Sequence, residues 1–170
     1  VKVLNLLKLY STSDNTQIKI HAELIEIKNN NSLLLKSPGH ITRELLMSLA
    51  GDERQTITQM EVVAVSGRTS TGRDFHNVDP VNGDHEIGHI FHVTSNLEPD
   101  GNTISSEFQW QYSDFSPGNK ERQLSVETRL SISNGSSLVF QVQQADGVDK
   151  RNLYLVITQN LIGLDGQLIK

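Results

Sequence analysis

A mostly β fold, antiparallel sheets with one short helix, is predicted by three observations. Apolar residues recur with period two in four separate segments, the signature of strands that bury one face. Turn-forming runs, Pro99-Asp100-Gly101-Asn102 and Asn134-Gly135, punctuate those segments. A single stretch, residues 41–50, combines good helix formers with apolar residues at Leu45, Leu46 and Leu49. The 170 residues suit one domain spanning 1–170.

The elements follow in order. Ile18, Ile20, Ala22 and Leu24 alternate up to the polar stop Asn29-Asn30-Asn31, giving a first strand. The short helix at 41–50 comes next and ends before Gly51. Residues 67–84 and 114–122 are rich in Gly, Asn, Asp, Ser or Pro and read as long exposed loops. A strand at 89–95 pairs through the Pro99–Asn102 turn with a strand carrying Ile104, Phe108, Trp110 and Tyr112. In 123–133, Leu124, Val126, Leu130 and Ile132 share a face, and Asn134-Gly135 leads to Leu138, Phe140 and Val142. That pattern predicts a hairpin closed by a type I′ turn. Residues 153–158 are apolar on both faces, as in a strand at the middle of a sheet.

Composition excludes several functions. With 15 basic and 20 acidic residues and a net charge of −5, the chain offers no overall electrostatic attraction for nucleic acid. Without cysteine it has no disulfide, no thiolate nucleophile and no cysteine-bound metal. No apolar run approaches the ~18 residues of a membrane-spanning helix. The start at Val-Lys-Val, with no signal-peptide pattern, reads as a processed product or an excised segment.

His85-Glu86-Ile87-Gly88-His89 satisfies the HExxH pattern. On a helix, His85 and His89 share a face and bind zinc while Glu86 activates a water, and Asp84 caps the first turn. The continuation Ile90-Phe91-His92-Val93-Thr94 favours a strand instead, which places Glu86 opposite the two histidines. A third ligand is also missing at the usual spacing. The expectation is no catalytic residue, no cofactor and no metal, with catalytic Glu86 and zinc on His85 and His89 as the alternative.

Weaker candidates have plain structural readings. Asp79, Asp84 and Asp100 adjoin glycines without the spacing of a calcium loop, so turn chemistry explains them. No G-x-S-x-G elbow and no phosphate-cradling glycine loop occurs. The stripe Phe108, Trp110 and Tyr112 has acidic rather than basic flanks, which favours core packing over a stacking platform.

Several motifs also occur in a telling order. The strand at 17–27 ends in Glu23-Leu24-Ile25-Glu26, residues 33–37 lead to Pro38 and Thr42, and a glycine-led stretch spans 51–65. Ile87 to Thr94 is followed by Pro99-Asp100-Gly101-Asn102-Thr103-Ile104, then by 125–133, Asn134-Gly135 and 138–142, and lastly by 153–158. In this order, over about 17–162, the chain resembles the C-terminal β domain of the bacterial secretins. These are the ring-forming outer-membrane channels of type II and type III secretion, type IV pili and filamentous phage export. The sequence departs from the family around Gln141 to Gln144, where a Gly-Gly pair is expected. It departs also at Thr94-Ser95 and Thr158-Gln159, where the family has Thr-Pro. Residues 67–84 are polar where a secretin carries its gate hairpin.

The resemblance implies a non-enzymatic structural component of a bacterial envelope secretion or pilus-type complex, in the periplasm or outer membrane. It implies a homo-oligomer or an envelope protein partner, and outer-membrane association. Self-association then proceeds by pairing of strand edges. Two other classes compete: the small HExxH zinc metallopeptidase, and a monomeric β-sandwich binding module whose ligand meets the long loops.

Overall fold

A computed structural model describes residues 16–27, 41–49, 53–78, 85–116, 120–142, 152–163 and 165–169. Along the chain these form β1 (Gln17–Ile27), α1 (Arg43–Ser48), β2 (Arg54–Val65), β3 (Thr69–Val78), β4 (His85–Leu97), β5 (Thr103–Ser116), β6 (Lys120–Ser133), β7 (Ser137–Val142) and β8 (Asn152–Ile162). The strands make two four-stranded sheets, β2-β1-β8-β7 and β3-β4-β5-β6. Every pairing is antiparallel.

The alternation read from the sequence decides how the layers stack. Ile18, Ile20, Ala22 and Leu24 of β1 are completely buried and meet Phe91, Val93, Ile104, Phe108 and Trp110 of the second sheet. The odd positions Ile25 and Ile27 turn the other way. They form a second cluster with Tyr154, Val156, Leu46 and Leu49, so α1 covers the back of the first sheet. This explains why β8 is apolar on both faces: it lies between β1 and β7, with a sheet on one side and the helix on the other. The helix is capped by Thr42, whose Oγ1 accepts from the Leu45 amide at 3.2 Å. Burial lifts the Tyr154 phenol above its ordinary pKa of 10.0.

Three expectations about connections are corrected. The segment 67–84 is not a loop throughout, since residues 69–78 are β3. Its inward position Gly72 faces Met60 and Val62 so closely that a Cβ there would lie 2.3 Å from Met60 Sδ. No apolar side chain fits that site, so the strand lacks an apolar alternation. The segment 114–122 is likewise strand up to Ser116 and from Lys120 onward.

The third correction concerns Asn134-Gly135. It closes a tight turn, with Ser136 N–H donating to Ser133 O at 3.0 Å and Gly135 at φ 78°. The flanking strands do not pair with each other, however. β6 pairs with β5 and β7 with β8, so the chain crosses from one sheet to the other. Leu130 and Val142 therefore enter the same core from opposite sheets. Asn134 anchors the crossing: its amide donates to Asn102 O at 2.8 Å and its Oδ1 accepts from the Leu161 amide at 2.8 Å.

The other turn forms as expected, with β4 and β5 paired from Leu97 opposite Ile104. Asp100 holds it by accepting from the Thr103 hydroxyl and from the amides of Thr103 at 2.8 Å and Asn102 at 2.9 Å. These bonds, the Thr103 hydroxyl foremost, keep the Asp100 carboxyl below the ordinary aspartate value of 3.8. A group whose pKa falls on folding stabilises above its unfolded value and loses that contribution as acid protonates it. Asp100→Ala is therefore expected to lower the melting temperature at neutral pH. In thermal scans from pH 7 downward, the gap to wild type closes below about pH 3.8.

Candidate functional site

The histidine motif opens β4 and is bonded to β3 position by position, with His85 opposite Val78, Glu86 opposite Asn77 and His89 opposite Asp74. The backbone is a strand over 85–97, the reading favoured by Ile90-Phe91-His92-Val93. In that ladder position 86 is out of phase with 85 and 89, whereas the hydrolytic geometry requires a helix. His89 is 3% exposed. Its Nδ1 lies 3.0 Å from Thr58 Oγ1 of β2, and its ring meets Trp110 edge-on at 6.2 Å. It joins the two sheets within the core.

The glycine of the motif also has a strand role. Gly88 takes φ 146°, and a Cβ there would stand 2.0 Å from the Asp74 carbonyl oxygen. Among the described residues no group of three or more His, Asp or Glu converges to hold a metal. Asp100 serves its turn, as expected, while Asp79 and Asp84 lie outside the described residues. Trp110 is a core residue at 2% exposure, in line with the packing reading.

A second candidate surface lies at the sheet edges. The first sheet ends in β2 and β7, the second in β3 and β6. The turn at 66–68 links β2 to β3, and the turn at 134–136 links β6 to β7. Both sheets therefore end together on each side, β2 with β3 and β7 with β6. An edge strand carries a row of backbone groups with no ladder partner. β6 is a 14-residue edge with no proline. Two of the devices that block strand addition are a proline and an inward-pointing charge. The described inward positions of β6, Leu124, Val126, Thr128, Leu130 and Ile132, carry neither.

The outward face of the second sheet is largely polar, with Phe75 and Ile90 as its apolar members on β3 and β4. Thr69 bonds Thr94 at 2.6 Å and Thr71 bonds His92 at 2.8 Å. Arg129 Nε lies 2.8 Å from Glu107 Oε1. Two depressions on this sheet measure about 230 and 260 Å³, below the ~300–1,000 Å³ of ordinary ligand clefts. On the first sheet, Glu23 is 8% exposed and lies 3.2 Å from His21 Nε2 and 3.5 Å from Arg43 Nη2, which ties α1 to β1. No described helix is long and apolar enough to cross a membrane.

Sequence reasoning missed a polar bridge inside the core. Ser95 and Ser106 share a hydrogen bond at 2.6 Å, and Gln159 Nε2 donates to Ser106 Oγ. All three side chains are buried. The available signal was the phase of β8, since Gln159 continues the inward series Leu153, Leu155 and Ile157.

No protein-family model matches the chain, and no curated protein matches it significantly. Solved structures do. The type II secretin GspD from enteropathogenic Escherichia coli matches with a TM-score of 0.52 at 10% identity, over 95% of this chain and 74% of that one. The Klebsiella pneumoniae type II secretion system outer membrane complex of PulD, PulS and the PulC HR domain matches at 0.54 and 13%, over 95% and 43%. The Vibrio cholerae type IV competence pilus secretin PilQ matches at 0.50 and 8%, over 95% and 65%. The chain thus spans between 43% and 74% of these three. Its fold is secretin-like.

Proposed function

We propose that this chain is a non-enzymatic structural component of a bacterial envelope secretion or pilus-type complex and that its copies associate through their sheet edges. One observation carries the reading. Among the described residues, both sheets of a secretin-like fold end in open strands on the same two sides. Each sheet has four antiparallel strands, so its two edge strands run in opposite directions. A neighbouring copy turned about a common axis then sets its β3 against β6 and its β2 against β7, continuing both sheets antiparallel. Such an interface uses different surfaces on the two partners, and repetition closes a ring with two walls.

The largely polar outward face of the second sheet suits a water-filled lumen. A lipid-facing β wall instead needs an apolar band ~25 Å tall. The secretin-like fold supports a place in the bacterial envelope, in the periplasm or at the outer membrane. The reading calls for no zinc, and the strand at 85–97 supports it, since position 86 falls out of phase with 85 and 89 there.

The test is the mass of untagged protein in solution, measured by light scattering together with its zinc content. Assembly well above the 18.9 kDa monomer, without stoichiometric zinc, is expected. A strict monomer at ~100 μM, where even a ~10 μM contact is largely formed, contradicts the assembly reading. One zinc per chain, with peptide hydrolysis abolished in Glu86→Gln, establishes the peptidase in its place.

A further inference from the structure

We infer that Arg73 of one copy and Glu127 of the next form an ion pair across the β3–β6 seam and set its register; this rests on the edge-pairing function proposed above. Arg73 and Glu127 are exposed, and each sits on an open edge of the second sheet, Arg73 on β3 and Glu127 on β6. They share the outward face. Thr71, two residues from Arg73, bonds His92 on that face, and His92 lies in one ladder row with Gln109 and Glu127. Neither charge has an ion-pair partner among the described residues, whereas Arg129, the next outward position of β6, is already held by Glu107. One open edge thus carries an unmatched cation and the opposite edge an unmatched anion.

The ladder converts this into a register. The rows Thr69–Thr94–Glu107–Arg129 and Thr71–His92–Gln109–Glu127 run straight across the sheet. Extending them without offset would set Glu127 opposite Thr71 of the next copy, with Arg73 on the diagonal. A two-residue offset sets Glu127 directly opposite Arg73, Arg129 opposite Thr71 and Ser125 opposite Phe75. Opposite charges facing each other across strands attract, and like charges repel. The reverse offset brings Arg129 opposite Gly67, beside the exposed Arg68, and leaves Arg73 facing Gln123. A stagger between strands is also what closing a sheet into a barrel requires. The geometry therefore favours the offset that joins Arg73 to Glu127.

The natural absence of cysteine makes the register directly measurable. Copies bearing Phe75→Cys, which leaves Arg73 and Glu127 in place, are mixed with copies bearing Ser125→Cys, Gln123→Cys or Glu121→Cys and oxidised under mild conditions. Directly opposed residues, with Cα atoms ~4.5–5.5 Å apart, meet the geometry of a disulfide, and diagonal ones at ~7–8 Å do not. The expected result is a covalent dimer chiefly from Phe75→Cys with Ser125→Cys. Preferential bonding to Gln123→Cys or Glu121→Cys overturns the register. No bonding in any mixture, with assembly intact by light scattering, overturns the seam while leaving the proposed function standing. Loss of all assembly in the wild type overturns both. As an independent readout, Arg73→Glu and Glu127→Arg should each weaken association about three- to tenfold, and the double reversal should restore it. Failure of the double variant to recover, while it melts like wild type, argues against the pair.

Discussion

Gly88→Ala is expected to be the most damaging single substitution in the described chain. The added methyl group would stand 2.0 Å from the Asp74 carbonyl oxygen and 2.8 Å from Phe75 Cα, both backbone atoms of the neighbouring strand. A side-chain tip can rotate away from such a clash; a ladder strand cannot. Gly88 also takes φ 146°, a region that side-chain-bearing residues rarely adopt. Relief therefore requires β3 and β4 to part around Asp74 and Phe75, which gives up ladder bonds as well as packing. A cost of about 4–5 kcal/mol follows, in the range reserved for disrupted cores and strained backbone. For a chain of this length that lowers the melting temperature by about 8–20 °C. Gly101→Ala is the control: its φ is 72°, but nothing lies within 4 Å of the added Cβ. Strain alone should cost about 1–2 kcal/mol there. Equal melting temperatures for the two variants would refute this account of Gly88.

Trp110→Ala is the second large effect. The indole is 2% exposed, opposite Phe91 in the β4–β5 ladder and edge-on to His89. Phe91 in turn stacks on Phe108 with centroids 5.4 Å apart, so the cavity would open beside an aromatic cluster. Removing a buried Trp or Phe to Ala typically costs about 3–5 kcal/mol. Trp110→Phe should cost much less, because the indole Nε1–H is buried without a hydrogen-bond partner among the described residues. Losing that unmet donor offsets part of the lost packing. Chemical denaturation distinguishes the two: a large fall in the midpoint for Ala and a small one for Phe. Comparable losses would show that the polar end of the ring matters more than its volume.

The strands with a polar and an apolar face were legible because period-two alternation survives wherever one face is buried. β1, β5 and β6 announce themselves this way, and β8 shows its central place by being apolar throughout. The strand at His85–Leu97 was legible against a strong local motif, because Ile90, Phe91 and Val93 prefer extended backbone. β3 was not legible. Its inward position Gly72 fits under Met60 and Val62, and of its outward residues Thr69, Thr71, Arg73 and Phe75 only the last is apolar. The Asn134-Gly135 turn sits where the sequence places it, but the strands it joins pair with other partners. Leu124, Val126 and Leu130 followed by Leu138, Phe140 and Val142 present the same pattern whether the strands lie side by side or face each other across a core. The choice depends on distant partners, Asn102 for the Asn134 amide and Gln159 for the Gly135 amide, which no local pattern reveals. The candidate functional surface was legible only as a principle. Open edges follow from sheets that do not close, whereas their identity as β2 with β3 and β6 with β7 depends on the two crossings between sheets.

In the proposed function those crossings give each copy two sides that meet the sides of the next. The mass of the untagged chain, followed by light scattering from low to high micromolar concentration, tests this association. A discrete species many times 18.9 kDa that persists on dilution, as a closed ring does, is expected. A constant monomer mass over the whole range would contradict it.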